Sequence, residues 1–218
     1  MQVLLQPVFH LQLPSYVKGR KTMWNYKTPG IPDEFFDRVE KVPITKEEVR
    51  VIQLSKARLR TGDIVYDIGC GSGSISIEAA HQIGVSGKVI AIDYDKNAIE
   101  LIQRNMKKFN VSNISTILGN AKEKILELDQ ADVIFIGGTG ADTKEIVELA
   151  HEKLKSEGRI VIGIILIETL YSVLQVLEKL QFTSVDITQV TISKSRKTRT
   201  GTMMLARNPV TVISATKI

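Results

Sequence analysis

The sequence predicts a doubly wound α/β domain, a mostly parallel sheet covered by helices on both faces and closed by a C-terminal antiparallel hairpin strand. Three observations carry that prediction. From Thr45 to Leu180, apolar runs of strand length alternate with segments whose apolar residues recur at helical spacing. Several of those runs are continuously apolar, as expected of strands buried on both faces. Beyond Leu180 the alternation stops, and two strand-like stretches follow without a helix between them.

Each element has its own signal. At the N-terminus Val3, Leu5, Phe9, Leu11 and Leu13 alternate with mostly polar neighbours, and Pro14, Gly19, Pro29, Gly30, Pro32 and Pro43 then punctuate the chain. This reads as a strand or two and a lead-in, so 1–43 is an N-terminal extended segment and 44–218 the domain proper. Thr45 followed three residues later by Glu48 is a capping box, and Val49, Ile52, Leu54 and Leu59 supply a helical apolar face until Gly62 stops it. Strands are expected over 64–68, 88–92, 114–118, 132–136 and 159–166, with helices over 74–83, 96–109, 142–154 and 168–180. The terminal hairpin joins 185–193 to 202–206 through the polar stretch 194–201.

Composition excludes several classes. A chain of 218 residues with 43% hydrophobic and 24% charged residues can bury a core and is neither disordered nor collagen-like. Its longest apolar stretch, 160–167, is broken by Gly163 and followed by Glu168, far short of the roughly 20 residues a bilayer span needs. No basic leader precedes the apolar start, so a cytoplasmic location is expected. Cys70 is the single cysteine, and His10, His81 and His151 are isolated, so neither an internal disulfide nor a metal site is expected. Charge is uneven: Lys194, Arg196, Lys197, Arg199, Arg207 and Lys217 occur after Ile187 with no acid among them, which leaves the rest of a chain of net charge +5 at −1. Such a region is either a solvated hairpin or a surface for an anionic partner, nucleic acid or a polycarboxylate.

The densest chemical signal is Val65-Tyr66-Asp67-Ile68-Gly69-Cys70-Gly71-Ser72-Gly73-Ser74, a strand entering a glycine loop that opens a helix. A loop of this kind at a strand's carboxyl end is expected to expose backbone N–H groups and a helix N-terminus, which suit the adenosine and carboxylate parts of a nucleotide-like ligand. Asp93 ends the next strand, where a carboxylate can accept both hydrogen bonds of a ribose diol. A dinucleotide fingerprint wants a third glycine where Ser74 stands, and Asp67 has no role beside a pyrophosphate. Asp67 to Gly73 instead resembles the first motif of class I methyltransferases, whose acid lies near the methionine end of S-adenosylmethionine. Asn120, in Gly119-Asn120-Ala121, stands where that fold more often carries Asp near the adenine; its amide oxygen could serve the same amino group. Gly137-Gly138-Thr139-Gly140 after the fourth strand either leaves space for a flat bulky ligand or is a flexible connection. Cys70 is read as a small loop residue, not a nucleophile, since no histidine is placed to pair with it.

Several stretches together, Tyr26 to Asp33, Thr45 to Arg50, Asp67 to Gly73, Ile136 to Gly140, Leu166 to Thr169 and Gly201 to Met204, are similar to the CbiT family. Its members are cobalt-precorrin-6B C-15 methyltransferases (decarboxylating) of anaerobic cobalamin biosynthesis, and the resemblance runs from Tyr26 to Pro209. It implies a Rossmann-like methyltransferase fold and methyl transfer from S-adenosylmethionine to a ring carbon of an anionic tetrapyrrole, with loss of carbon dioxide from an acetate arm. It places Thr45, Gly69, Cys70, Gly71, Ser72, Gly73, Asp93 and Ala121 at cofactor-contacting positions and implies a homotetramer.

With such a substrate, Gly137 and Gly138 could face the ring while Arg196, Lys197 and Arg199 hold carboxylates. The sulfonium is already activated, so alignment and exclusion of water matter more than a base. Glu168 is a candidate proton donor, set against a plain reading as a helix-start acid. Two alternatives stay open, a transfer RNA base methyltransferase using the same basic hairpin and a nicotinamide-dinucleotide oxidoreductase or sensor.

Overall fold

A computed structural model of the chain describes residues 24–218, and the alternating stretch at 3–13 lies outside them. Five strands rich in β-branched residues run parallel: β1 (Ile64–Ile68), β2 (Lys88–Asp93), β3 (Ile114–Leu118), β4 (Ala131–Ile136) and β5 (Leu154–Ile164). Two further strands, β6 (Thr183–Val190) and β9 (Val210–Thr216), complete a seven-stranded sheet of order β3-β2-β1-β4-β5-β9-β6, with β9 antiparallel to both neighbours.

Because β1 is flanked by strands on both sides, its residues alternate between two buried faces. Val65 joins a cluster with α1 (Glu47–Ala57), α2 (Ser74–Ile83) and α3 (Lys96–Phe109), whereas Tyr66 and Ile68 join the cluster formed with α5 (Thr143–Lys153) and α6 (Ile167–Lys179). The lead-in contributes to the first cluster: Ile31 and Phe36 are buried there. A buried ion pair fastens it, with Arg50 of α1 donating to Glu78 of α2, and Glu78 accepting from the Gly30 and Ile31 amides at 2.7 and 3.0 Å.

Two local expectations are corrected, and two elements were not foreseen. The Thr45–Glu48 capping box does not form. Helix α1 starts at Glu47, and the Glu47 amide donates 3.0 Å to the Asp33 carboxylate, so an acid distant in sequence serves the helix end. The terminal hairpin is also built differently: Thr202–Ala206 (β8) pairs with Ser193–Lys197 (β7) in a separate two-stranded ribbon, not with β6. The sheet partner of β6 is β9, which the sequence reading missed because Thr211, Ser214 and Thr216 dilute its apolar alternation. Buried Arg159 takes two of those hydroxyls, Thr216 at 2.8 Å and Ser214 at 2.9 Å. A short helix, α4 (Ala121–Lys124), was not foreseen either.

This topology positions the site. β6 ends and β9 begins at the carboxyl edge of the parallel strands, so the ribbon between them leaves from the edge that carries the loops after β1, β2 and β4.

Candidate active site

The glycine loop is a close-packed piece of backbone. A Cβ on Gly69 would lie 1.8 Å from the Gly137 carbonyl oxygen, one on Gly71 would lie 2.7 Å from the Pro43 carbonyl oxygen, and both residues have positive φ. Only glycine fits here. The loop's amides are not turned outward, contrary to the expectation from its pattern. Gly69 and Cys70 donate to Ile92 O, Gly71 to the Asp93 carboxylate at 2.9 Å, Ser72 to Pro43 O at 3.1 Å, and Gly73 to Cys70 O. The reason is that Asp93 and the Pro43 segment close on the loop and supply acceptors, so what it offers a ligand is shape, carbonyls and side chains. Pro43, not singled out from the sequence, acts through a contact that no local pattern could reveal.

The two acids are brought together beside this loop. Asp93 is buried, and its other oxygen accepts from the Asp95 amide at 3.0 Å, which leaves lone pairs on both oxygens for a diol. Asp67 is buried too, and its carboxyl is pushed up to about 6, mainly by burial and further by the charge of Asp93, against the opposing hydrogen bond from the Ser76 hydroxyl. Cys70 is buried, and burial followed by the Asp67 and Asp93 charges pushes its thiol well above the ordinary value, which fits a packed loop residue. Ser72 has a buried hydroxyl with no hydrogen-bond partner among the described residues, an unmet polar atom within the cradle.

Other predicted residues are spread along the same edge. Asn120 caps α4 by accepting from the Lys122 amide at 3.0 Å, so the oxygen assigned to an adenine already carries one bond, and Ala121 follows it. Gly137 and Gly140 face open space, since a Cβ on either would meet no atom within 4 Å. Thr45 stands one residue before the α1 cap and gives its carbonyl to Arg50. Glu168 is exposed in the first turn of α6, the position of a helix-start acid.

The six C-terminal cations divide into two groups. Lys194 pairs with Glu47 at 3.4 Å and with Glu48, Arg207 lies 3.7 Å from Glu48, and Lys217 donates to the His151 and Leu154 carbonyls. Arg196, Lys197 and Arg199, nearer the ribbon's tip, are exposed and form no ion pair among the described residues. Apolar side chains share this edge: Ile165, Leu166 and Ile167 after β5, and Met203, Met204 and Leu205 on β8, are all exposed. Sequence reasoning missed that apolar rim, although Leu166, Ile167, Met203 and Met204 fall in the stretches that carried the resemblance.

Known proteins match the chain over most of its length. The model of the precorrin methyltransferase domain matches residues 35–217. A Saccharolobus solfataricus protein named "Probable cobalt-precorrin-6B C(15)-methyltransferase (decarboxylating)" is 47% identical over 196 residues, 89% of this chain and 98% of its own. A solved structure described as precorrin-6y C5,15-methyltransferase from Geobacter metallireducens superposes with a TM-score of 0.81 at 35% identity, covering 88% of this chain and 100% of that one. A precorrin 8w decarboxylase structure from Methanobacterium thermoautotrophicum gives 0.80 at 34% identity, over 85% and 98%. The tRNA (m1A58) methyltransferase of Aquifex aeolicus, at 17% identity and a TM-score of 0.67 over 84% of this chain and 72% of that one, shares the fold alone. The chain therefore belongs to the precorrin methyltransferase family, on its cobalt-precorrin-6B C(15)-methyltransferase (decarboxylating) branch.

Proposed function

We propose that this chain methylates C-15 of cobalt-precorrin-6B and removes carbon dioxide from an acetate arm, with S-adenosylmethionine as co-substrate, in cobalamin biosynthesis. One observation carries the reading. A single sheet edge combines a cradle of glycine backbone and carboxylates, open space over Gly137, an apolar rim, and three cations without ion-pair partners among the described residues. A tetrapyrrole has an apolar face and a periphery of acetates and propionates, so rim and ribbon match it where a neutral small substrate would need neither.

The residues divide the work. Bound S-adenosylmethionine supplies a methyl group on a sulfonium, open to attack by a carbon nucleophile. Asp93 is suited to the ribose hydroxyls and Asp67, when ionised, to the cationic methionine end, while Ser72 offers its unmet hydroxyl and Thr45 and Ala121 border the cradle. Asn120 and exposed Tyr94, beside Asp93 in sequence, are placed for the purine, Tyr94 by stacking. Gly137 and Gly138 let the ring approach, and Arg196, Lys197 and Arg199 hold carboxylates by charge-assisted hydrogen bonds. When the acetate C–C bond breaks, the electron pair passes into the conjugated ring and carbon dioxide leaves. The family resemblance also supports a homotetramer; the outer edge of β6, which pairs with no further strand among the described residues and carries exposed Val185 and Ile187, favours self-association, and sedimentation equilibrium would test it.

The test is a single-turnover incubation with cobalt-precorrin-6B and methyl-labelled S-adenosylmethionine. The expected result is label in the tetrapyrrole with one carbon dioxide released per methyl transferred. Label in transfer RNA and none in the tetrapyrrole would overturn it.

A further inference from the structure

The ribbon β7–β8 is not part of the main sheet, so something other than the sheet ladder must set its direction. Its backbone tie at the base is the Arg207 amide donating 2.9 Å to Ile192 O. Ile192, just before β7, packs on the first core cluster, and the ionic links of the ribbon's roots converge on one helix end. Lys194, at the start of β7, reaches both Glu47 and Glu48 in the first turn of α1, and Arg207, just beyond β8, lies 3.7 Å from Glu48 and 4.0 Å from Asp33. Burial works to raise the Glu48 carboxyl, but the hydrogen bond from Lys194, the hydrogen bond from its own backbone amide and the charges of Lys194 and Arg207 together outweigh it, and the group sits below its ordinary range, which keeps the pair charged.

Asp33 adds a second connection. The same carboxylate caps α1 by accepting from the Glu47 amide and lies 3.3 Å from the Arg50 guanidinium, which also donates to the Thr45 carbonyl. Two residues earlier, Pro43 accepts from Ser72 of the glycine loop. The roots of the ribbon are thus fixed to the residues that press on the cofactor cradle. The stretch Tyr26 to Asp33, conspicuous in sequence but without a role in binding, receives one here.

We propose that Glu48, assisted by Glu47 and Asp33, is a positioning residue: it clamps the two roots of the β7–β8 ribbon so that the tip cations stand beside the cradle, ready for a polycarboxylate substrate. The clamp also neutralises Lys194 and Arg207 and so assigns the remaining positive charge to Arg196, Lys197 and Arg199. The proposal rests on the reading of the ribbon as a substrate arm given above, and its test separates the two.

The experiment compares Glu48→Gln, Lys194→Arg and the triple variant Arg196→Ala/Lys197→Ala/Arg199→Ala in the full chain. Three quantities are read: hydrogen exchange of the ribbon amides, affinity for uroporphyrin, a tetrapyrrole ringed with acetates and propionates, and affinity for S-adenosylhomocysteine. Partly exposed ion pairs are individually weak, so Glu48→Gln is expected to leave the fold intact and to weaken uroporphyrin binding about fivefold to tenfold. Exchange should rise across 193–206 and not in β9, S-adenosylhomocysteine affinity should hold, and Lys194→Arg, which keeps the pair, should behave as the parent. If the triple variant loses uroporphyrin while Glu48→Gln retains both affinity and ribbon protection, the clamp is overturned and the substrate arm stands. If the triple variant itself binds uroporphyrin as the parent does, the substrate arm falls and the clamp's purpose with it.

Discussion

The glycine loop after β1 and the β7–β8 ribbon face the same edge of the sheet and are held there by opposite means. The loop is fixed by backbone packed on backbone, with Gly69 against Gly137 and Gly71 against Pro43, and all five amides from Gly69 to Gly73 engaged within the chain. The ribbon is held by side chains, chiefly Lys194 and Arg207 on the acids of α1 and Asp33. Close-packed backbone has one arrangement and fails abruptly when a methyl group is added. Ion pairs in water are soft and screened by salt, so the ribbon can shift where the loop cannot. These two solutions suit the proposed pairing of a cofactor of fixed shape with a bulky, multiply charged ring.

The largest expected effect is at Gly69. Gly69→Ala must displace the Gly137 carbonyl and adopt a left-handed φ of 74°, and should cost about 3 kcal/mol or more in urea unfolding and abolish measurable S-adenosylhomocysteine binding. Gly137→Ala sharpens the contrast, because its Cβ enters open space: stability should stay within about 0.5 kcal/mol while KM for the tetrapyrrole rises severalfold, and an unchanged KM would remove Gly137 from the substrate face.

A smaller effect is expected from pH. Asp67 in the folded chain titrates near 6, above its ordinary 3.8, so the fold holds this proton more tightly than the unfolded chain does. Its contribution to stability is therefore full at low pH and is lost as pH rises from about 4 to about 6. Ligand binding is expected to run the other way, since the carboxylate proposed to face the ligand's α-ammonium group appears only above that point. Affinity for S-adenosylhomocysteine should climb a few fold between about pH 5 and 7, and Asp67→Asn should flatten that profile.

What could be read from the sequence followed the same division. β1, α2, α3 and β3 occupy the expected spans, because their ends are written in local chemistry: Gly73 and Gly84 flank α2, and Asp95 caps α3 by accepting from the Asn97 amide. Asp67 and Asp93 were legible for a similar reason, each standing at a fixed offset from the loop. Of the ribbon, β8 occupies its expected span, but β7 was not legible, since Ser193–Lys197 is polar and becomes a strand only by pairing with β8. The Thr45 capping box failed because Asp33, 14 residues from Glu47, takes the helix end. The roles of Pro43, Glu48 and the apolar rim depend on contacts between segments far apart in sequence, which no single-window pattern encodes.

The most direct measurement is calorimetric titration of S-adenosylhomocysteine into the parent chain, Asp93→Asn and the triple ribbon variant. Asp93→Asn gives up a charged acceptor of the Gly71 amide and, on the proposed reading, of the ribose and should lose about 2–3 kcal/mol, roughly thirtyfold to a hundred-and-fiftyfold in affinity, whereas the ribbon variant should bind as the parent does. An undiminished titration with Asp93→Asn, or a nicotinamide dinucleotide binding the parent where S-adenosylhomocysteine does not, would contradict a methyl-donor cradle at this edge.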